Sequence, residues 1–289
     1  MSPTEPCITA VIPYFRSPRR VIGAVRSLLR QTRPVDRIVV VSDGDAGVPT
    51  GRLRRLGGER VLVHVLPENR GHFFAREVAR RAVDGGYLLF LDADDEVERE
   101  WVRRLLEEAD ANDGVAFCRA RLIRSFGPFS RTIKTRGVKR HRVGAPVAVQ
   151  FAGHWTLYRA DRLAAVGGYD PGFRIGYDTA LVNFVALAGP FGVVDEPLYR
   201  HRRGDVFAPR RQLTADPSTG YGSPARALAA RRLQEIYELC APLFRTDPAR
   251  ALDVLLSMRD QELEREVDAR AQELREALAT AGAGPEVRS

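Results

Sequence analysis

The residues of this chain best suited to chemistry are carboxylates that follow an apolar run. Asp92 and Asp94 come directly after residues 87–91, with Ala93 between them. Clustered carboxylates at the end of a buried strand are costly unless a cation or a hydrogen-bond network compensates them. Because side chains alternate along an extended chain, Asp92 and Asp94 can face the same side and share one divalent ion, Mn²⁺ or Mg²⁺. Such a site leaves coordination positions open for phosphate oxygens.

The same spacing of aspartates occurs in other settings. A solvated acidic turn before a helix has this pattern. A haloacid-dehalogenase-type phosphatase normally carries it after its first strand, followed by Thr or Val, whereas here it follows the fourth predicted strand and Glu96 stands in that place. An EF-hand needs glycine at its sixth loop position, where this chain has Val97. Asp95, three residues before Glu98, is predicted to be the N-cap of the following helix.

The elements before these carboxylates alternate between strand and helix patterns. Strands are predicted at 8–12, 37–41, 60–65 and 87–91, and helices at 18–29 and 73–83. This alternation predicts an α/β fold with a doubly wound, mostly parallel sheet, whose ligand site lies at the carboxyl ends of the strands.

The second half of the chain is less regular. We predict a helix over 96–109, strands near 115–120 and 191–194, a further element of unassigned type near 151–158, and a helix that opens at about Asp178. Residues 201–222, rich in Arg, Gly, Pro and Ser, are predicted to form a mobile loop. Two terminal helices are predicted to begin at Pro224 and Pro248, and the last has an apolar face formed by Leu263, Val267, Leu274 and Leu278.

Composition limits the class of protein. With 44% hydrophobic and 28% charged residues, the 289-residue chain is typical of globular proteins, and its net charge of +8 indicates an anionic partner. The arginines are not interleaved with aromatic residues, which disfavours nucleic acid as that partner. Cys7, Cys118 and Cys240 form no CxxC pair, and neither a signal peptide nor a membrane-spanning apolar run is present. These features predict a cytoplasmic protein, with peripheral membrane association left open.

Five motifs, in order along the chain, carry a resemblance to a known family. They lie at residues 10–16, 27–32, 39–44, 69–76 and 167–178. Together they resemble the inverting family 2 glycosyltransferases of the GT-A fold, over roughly residues 8–205. The resemblance implies an enzyme that moves a sugar from a nucleoside-diphosphate sugar to an acceptor hydroxyl or similar nucleophile. Among such donors it favours a UDP-sugar. It also implies a divalent metal as cofactor.

The resemblance assigns the donor-binding residues. Asp43 would bind the base or ribose, although Ser42 stands where the family commonly has a further acid. Pro13 and Phe15 would form part of the wall around the base, and Arg76 would face the pyrophosphate. Asp92 and Ala93 complete the donor-binding set.

The resemblance also assigns the reacting residues. Asp178 would be the general base, and Tyr177 stands where the family has another acid. A helix N-cap is the alternative role for Asp178. His201 would be a third metal ligand beside Asp92 and Asp94. His154 and Trp155 would face the acceptor, or Trp155 would fill core.

The predicted organisation has three parts. Residues 1–205 form the GT-A domain, with a nucleotide-binding part at 1–95 and an acceptor and catalytic part at 96–205. Residues 206–222 form a flexible loop, and its Arg210 and Arg211, together with Arg202 and Arg203 just before it, could close over the donor as a lid. Residues 223–289 form a helical extension that could support a homodimer. An alternative function is nucleotidyl or phosphate transfer on a similar sheet, but neither a P-loop nor a GxGxxG pattern is present. The acceptor is not identifiable from the sequence.

Overall fold

The computed structural model describes residues 6–126, 129–136, 156–203 and 224–282. The strands of these ranges are β1 Ile8–Tyr14, β2 Arg37–Ser42, β3 Val61–Val65, β4 Tyr87–Phe90, β5 Glu96–Val97, β6 Val115–Phe126, β7 Phe129–Arg136, β8 Thr156–Arg159 and β9 Gly192–Arg203. The helices are α1 Arg20–Leu29, α2 Thr50–Gly57, α3 His72–Ala82, α4 Trp101–Asp110, α5 Ala160–Ala164, α6 Tyr177–Ala188, α7 Pro224–Thr246, α8 Pro248–Ser257 and α9 Gln261–Gly282.

All of these strands join one sheet. Its order is β3-β2-β1-β4-β8-β6-β9-β5, and β7 pairs with β6. The first four strands are parallel, as the alternation of strands and helices predicts. The other half of the sheet is mixed, because β8 runs antiparallel to both β4 and β6 while β9 runs parallel to β6. The α/β class with a GT-A-type sheet and a helical C-terminal part is therefore confirmed.

Helices cover both faces of this sheet. Every residue of β1 is buried, as expected for a parallel strand with helices on both sides. On one face α1, α2 and α4 pack through apolar residues such as Val25, Leu53 and Trp101. On the other face α3 and α6 pack together with the C-terminal helices, through residues such as Phe74 and Phe184.

Two boundaries differ from the sequence prediction near the carboxylates. Residues 96–97 form the short strand β5 against β9, so the next helix begins only at Trp101 and the residue at its N-cap is Glu100. The N-cap prediction for Asp95 is therefore wrong. Strand β9 continues to Arg203, so His201 lies on a strand and not in a loop. Pairing with β6 over 199–203 explains this extension despite the arginine-rich sequence.

The C-terminal part has three helices where two were predicted, because the chain turns at 258–260 between α8 and α9. The N-cap predicted at Asp247 is present, since its side chain accepts a hydrogen bond from the Arg250 amide. The apolar face of α9 is buried within the same chain, with Val267 and Leu274 both 0% exposed. That face is therefore unavailable for the homodimer considered from the sequence.

Candidate active site

The candidate site lies at the carboxyl edge of the parallel strands. Strands β1, β2 and β4 run side by side in the same direction, so the residues that follow them meet at one edge of the sheet. Phe15 follows β1, Asp43 follows β2 and Asp92 lies just beyond β4. The structure thus gathers the predicted donor-binding residues as the resemblance requires.

The wall predicted around the donor base has one buried and one accessible member. Pro13 is buried on β1 opposite Val41, whereas Phe15 is only half-buried. The guanidinium of Arg16 lies over the Phe15 ring, 4.9 Å from its centroid. Phe15 therefore offers an aromatic face at the edge of the sheet that a base could contact.

The Asp43 carboxylate is hydrogen-bonded to backbone amides. Its side chain is 3% exposed, and its two oxygens accept hydrogen bonds from the amides of Arg70 and Gly71, at 2.7 and 2.9 Å. Burial raises the pKa of Asp43, and these amide bonds oppose the rise. The carboxylate thus fixes the loop before α3 onto the end of β2, a role that sequence reasoning did not assign to it.

Arg76 and Asp92 form an ion pair at the floor of the site. Arg76 is 0% exposed on α3 and donates to the Asp92 carboxylate. Burial raises the pKa of Asp178, and among the opposing influences the charge of Arg76 is the largest. A buried guanidinium therefore lies within electrostatic range of both Asp92 and Asp178. This brings the predicted general base and the predicted metal-binding region into one cluster.

Asp178 lies in the first turn of α6. The residue at the N-cap is Gly176, in the left-handed conformation with φ of 82°, so the alternative N-cap role for Asp178 does not hold. The N-terminus of a helix favours an anion, which helps to keep this carboxylate charged. The neighbouring Tyr177 is buried in the core, where its ring packs against Phe173 at 5.2 Å between centroids.

Asp94 is the most accessible carboxylate of its cluster. Its carboxylate accepts a hydrogen bond from Arg20 at 3.2 Å. Ala93, between Asp92 and Asp94, is buried. Loss of hydration raises the pKa of Asp94 to about 6, and the charges of Asp95 and Asp92 add to this effect. The cleft therefore holds more negative charge than its own cations balance.

Asp95 and His201 are a pair that sequence reasoning missed. Asp95 is 0% exposed, and its carboxylate bonds to Nδ1 of His201 at 2.9 Å and to the Arg202 amide at 2.7 Å. Burial lowers the pKa of His201, but the hydrogen bond and the charge of Asp95 outweigh it and the net shift is upward. This pairing fixes the ring and leaves Nε2 as the nitrogen for another partner.

The donor set fits a divalent metal. Within the described ranges no three His, Cys, Asp or Glu side chains are grouped as a preformed metal site. Mg²⁺ and Mn²⁺ need only one or two carboxylates when substrate phosphates supply further oxygens. Asp94 offers such an oxygen in a cleft of excess negative charge, and His201 is held by Asp95 as metal-binding histidines commonly are held by a carboxylate.

Some predicted features cannot be placed. His154, Trp155 and the loop 206–222 with Arg210 and Arg211 lie outside the described residues. No described helix is long and apolar enough to cross a membrane.

With this geometry in view, comparison with known proteins gives the family. The model of glycosyl transferase family 2 matches residues 9–172, and the chain belongs to that family. The resemblance noted from the sequence motifs is thereby confirmed.

Two curated relatives and one solved structure illustrate the similarity. The succinoglycan biosynthesis protein ExoO of Rhizobium meliloti is 32% identical over 106 residues, which are 37% of this chain and 30% of that protein. ExoA of the same organism is 28% identical over 190 residues, 62% of this chain and 58% of that protein. The chain thus spans less than two thirds of the length of these relatives. A crystal structure of S. aureus TarS 1–349 in complex with UDP-GlcNAc matches with a TM-score of 0.64 at 18% identity, covering 96% of this chain and 87% of that one.

Proposed function

We propose that this chain is a metal-dependent, inverting glycosyltransferase that moves a sugar from a nucleoside-diphosphate donor to an acceptor hydroxyl. The observation that carries the proposal is the cluster of Asp92, Arg76 and Asp178 beside Asp94 and His201, at the carboxyl edge of a GT-A-type sheet. Membership of glycosyl transferase family 2 supports the class of reaction.

Asp178 is the group that takes the proton. As the acceptor oxygen forms its bond to the anomeric carbon, the bond from that carbon to the diphosphate oxygen breaks and the hydroxyl proton moves to the Asp178 carboxylate. Attack on the side opposite the leaving group inverts the anomeric centre. Arg76 is fully buried below the floor of the site. Its guanidinium favours the ionised form of Asp178 and forms an ion pair with Asp92.

Asp94 and His201, with Asp92 behind them, would hold the divalent ion. When bound, such an ion neutralises negative charge that develops on the leaving diphosphate. Asp95 fixes the His201 ring, and Arg20 lies against the outer side of the Asp94 carboxylate. These residues together place cationic groups around the region where phosphate oxygens would lie.

A UDP-sugar is the first donor to test. One solved relative of the same fold is described as a complex with UDP-GlcNAc. On the chain itself, Phe15 and the end of β1 offer an aromatic wall for a base. The acceptor is left open, because the predicted acceptor-facing residues His154 and Trp155 lie outside the described part of the chain.

The test is a nucleotide-release screen with UDP-, GDP- and dTDP-sugars, in Mn²⁺ and in chelator. We expect release with one nucleotide, dependent on metal. Asp94→Ala should abolish both turnover and the Mn²⁺-dependent part of nucleotide binding measured by calorimetry. Asp84→Asn, which changes an exposed carboxylate at the opposite edge of the sheet, should leave both unchanged. Full release in excess chelator would refute the metal dependence, and failure of every sugar nucleotide to bind in calorimetry would refute the transferase.

A further inference from the structure

One of two strongly basic stretches of this chain includes α1 and α2. Residues 15–60 contain eleven arginines, no lysine and four acidic residues, a net charge of +7, and residues 119–142 contain nine basic and no acidic residues. Ten of the eleven arginines of residues 15–60 are exposed; they are Arg16, Arg19, Arg20, Arg26, Arg30, Arg37, Arg52, Arg54, Arg55 and Arg60. The segment that carries them includes α1 and α2, and we call its arginine-bearing outer surface the basic face.

The fold turns these arginines outward on neighbouring helices. Helices α1 and α2 contact each other and pack on the same side of the sheet, through residues such as Val25 and Leu53. On α1 the exposed positions Arg19, Arg26 and Arg30 recur at helical spacing, so they form one stripe about 15 Å long. The basic face is therefore a broad outer surface and not a consequence of scattered charges.

The four acidic residues of the segment are too few to neutralise its eleven arginines, and backbone amides bind three of these four carboxylates. Asp36 accepts from the Ile8 amide at 2.7 Å, and Asp45 accepts from the amides of Arg16 and Gly47 at 3.1 and 2.8 Å. Asp43 is buried against the loop before α3, as described above. Among the described residues no ion pair involves Arg26, Arg30 or the three arginines of α2.

Helix α4, on the same side of the sheet, provides an internal contrast. Its arginines are matched by glutamates: Arg103 pairs with Glu100 at 2.6 Å, and Arg104 pairs with Glu196 at 2.8 Å. On this side of the sheet, α1 and α2 therefore differ from α4, whose arginines are paired with glutamates.

We propose that the basic face docks on the surface of an anionic lipid bilayer. Arginines spread over the outside of two helices suit a surface that presents many like headgroups, each of which can pair locally. The exposed large apolar residues of the described chain, Val65, Leu228, Leu239 and Leu256, all lie outside α1 and α2, so the contact is electrostatic and peripheral. Phe15, the single aromatic residue of the segment, lies beside the candidate site and not on α1 or α2, so the basic face lacks the aromatic side chains that stack on single-stranded nucleic acid.

The position of the basic face also relates it to the candidate site. Arg16, Arg19 and Arg20 lie where β1 passes into α1, and Arg20 contacts Asp94 directly. Docking would therefore hold the carboxyl edge of the sheet close to the lipid headgroups. The inference itself does not depend on the proposed function, because it concerns binding and not transfer.

The test is co-sedimentation of the full chain with vesicles of phosphatidylcholine, with and without phosphatidylglycerol. A basic residue near an anionic leaflet raises partition about fivefold, so the triple variant Arg26→Gln, Arg30→Gln, Arg55→Gln should lower it by about 100-fold. Raising salt from about 0.1 to about 0.5 M should release the wild type, because screening shortens the range of the attraction. The control Arg103→Gln, Arg104→Gln removes paired arginines and should bind like the wild type.

Three outcomes would overturn the proposal. Equal binding to neutral vesicles would show that charge is not the cause. Wild-type binding by the triple variant would place the membrane contact elsewhere. Binding to a soluble polyanion such as dextran sulfate, without binding to anionic vesicles, would assign the basic face to a polyanionic chain instead.

Discussion

A carboxylate can act as a base only if it is ionised at the working pH. Burial raises the pKa of Asp178 and so works against this, while the charge of Arg76 and the first turn of α6 favour the ionised form. The buried Arg76, paired with Asp92, therefore also affects the pKa of Asp178. It places a fixed positive charge where a base at the floor of a cleft needs one.

Replacing Asp178 with Asn tests this at the level of one residue. The amide keeps the shape but cannot take a proton, so transfer should fall by about 100-fold or more while donor affinity is retained. Because the pKa of Asp178 is raised, the wild-type rate should decline as the pH falls through that pKa, and the residual rate of Asp178→Asn should lack this decline. Asp161→Asn, at an exposed carboxylate on α5, is the control. Near-normal transfer by the Asp178 variant would assign the base to another group.

At this scale, the sequence predicts the candidate site residues more readily than it predicts their hydrogen-bond partners. The strand that precedes Asp92 and the helix that begins near Asp178 are local patterns, and the structure confirms both elements as β4 and α6. The bond between Asp95 and His201 joins residues 106 positions apart. No local spacing encodes such a contact. The signal that could have found it is the strand pairing of β5 with β9, which brings the two segments together.

At the scale of elements, a buried glutamate ties α3 to the motif that precedes the base. Glu77 is fully buried and accepts two hydrogen bonds from Arg80, at 2.8 and 2.7 Å, and one from the Tyr169 amide at 2.9 Å. Gly168, with φ of 62°, allows this approach, because a Cβ there would lie 2.5 Å from the glutamate oxygen. Arg259, just after α8, donates to the Gly167 carbonyl at 2.7 Å from the other side.

Glu77→Gln should therefore destabilise the whole fold in a pH-dependent way. Ion pairing with Arg80 and Arg81 outweighs burial and lowers the pKa of Glu77. The stabilisation is accordingly present above the ordinary glutamate pKa and is lost as the pH falls through the lowered value. We expect urea unfolding to show a loss of about 3–5 kcal/mol near neutral pH, the range for breaking a buried ion pair, and a smaller difference in acid.

The control for this prediction is Glu238→Gln, an exposed glutamate of α7, which should have little effect at any pH. A difference for Glu77→Gln that does not change with pH would mean that packing, and not the charge of the glutamate, stabilises this junction.

Some element boundaries depend on tertiary contacts and not on the local sequence pattern. The bounds of the four strands β1 to β4 agree with the prediction to within two residues, because each strand is a short, largely apolar run. The extension of β9 through Arg203 is not predicted from the sequence, because its arginine-rich sequence resembles a loop. Only the pairing with β6 makes this segment a strand. The third C-terminal helix was missed because the turn at 258–260 contains neither glycine nor proline.

At the scale of the whole molecule, the two faces of the sheet serve different purposes. One face has the basic outer surface of α1 and α2, and the other is covered by α3, α6 and the C-terminal helices. Cys240 on α7, Leu255 on α8 and Val267 on α9 belong to one apolar cluster with Phe74 and Phe184. The helical extension predicted as a separate part at 223–289 thus shares a core with the sheet.

This shared core predicts that the chain unfolds as one unit. Leu274 is 0% exposed on α9, and truncating such a buried leucine to alanine commonly costs about 2–5 kcal/mol. Trp101 lies in the apolar cluster on the opposite face of the sheet, so in a Trp155→Phe background, which removes the second tryptophan, the fluorescence reports on that cluster. Leu274→Ala should lower the unfolding temperature seen by tryptophan fluorescence and by far-ultraviolet circular dichroism to the same extent.

The matched control is Leu239→Ala on α7, where the leucine is 54% exposed and its loss should cost less than about 0.5 kcal/mol. If Leu274→Ala instead melted part of the helical signal early while the fluorescence transition stayed in place, the extension would be an independent module. Coincident transitions would mean that the C-terminal helices stabilise both the sheet that positions Asp92 and the helix α6 that carries Asp178. Removal of the extension should then abolish the candidate site without deleting any of its residues.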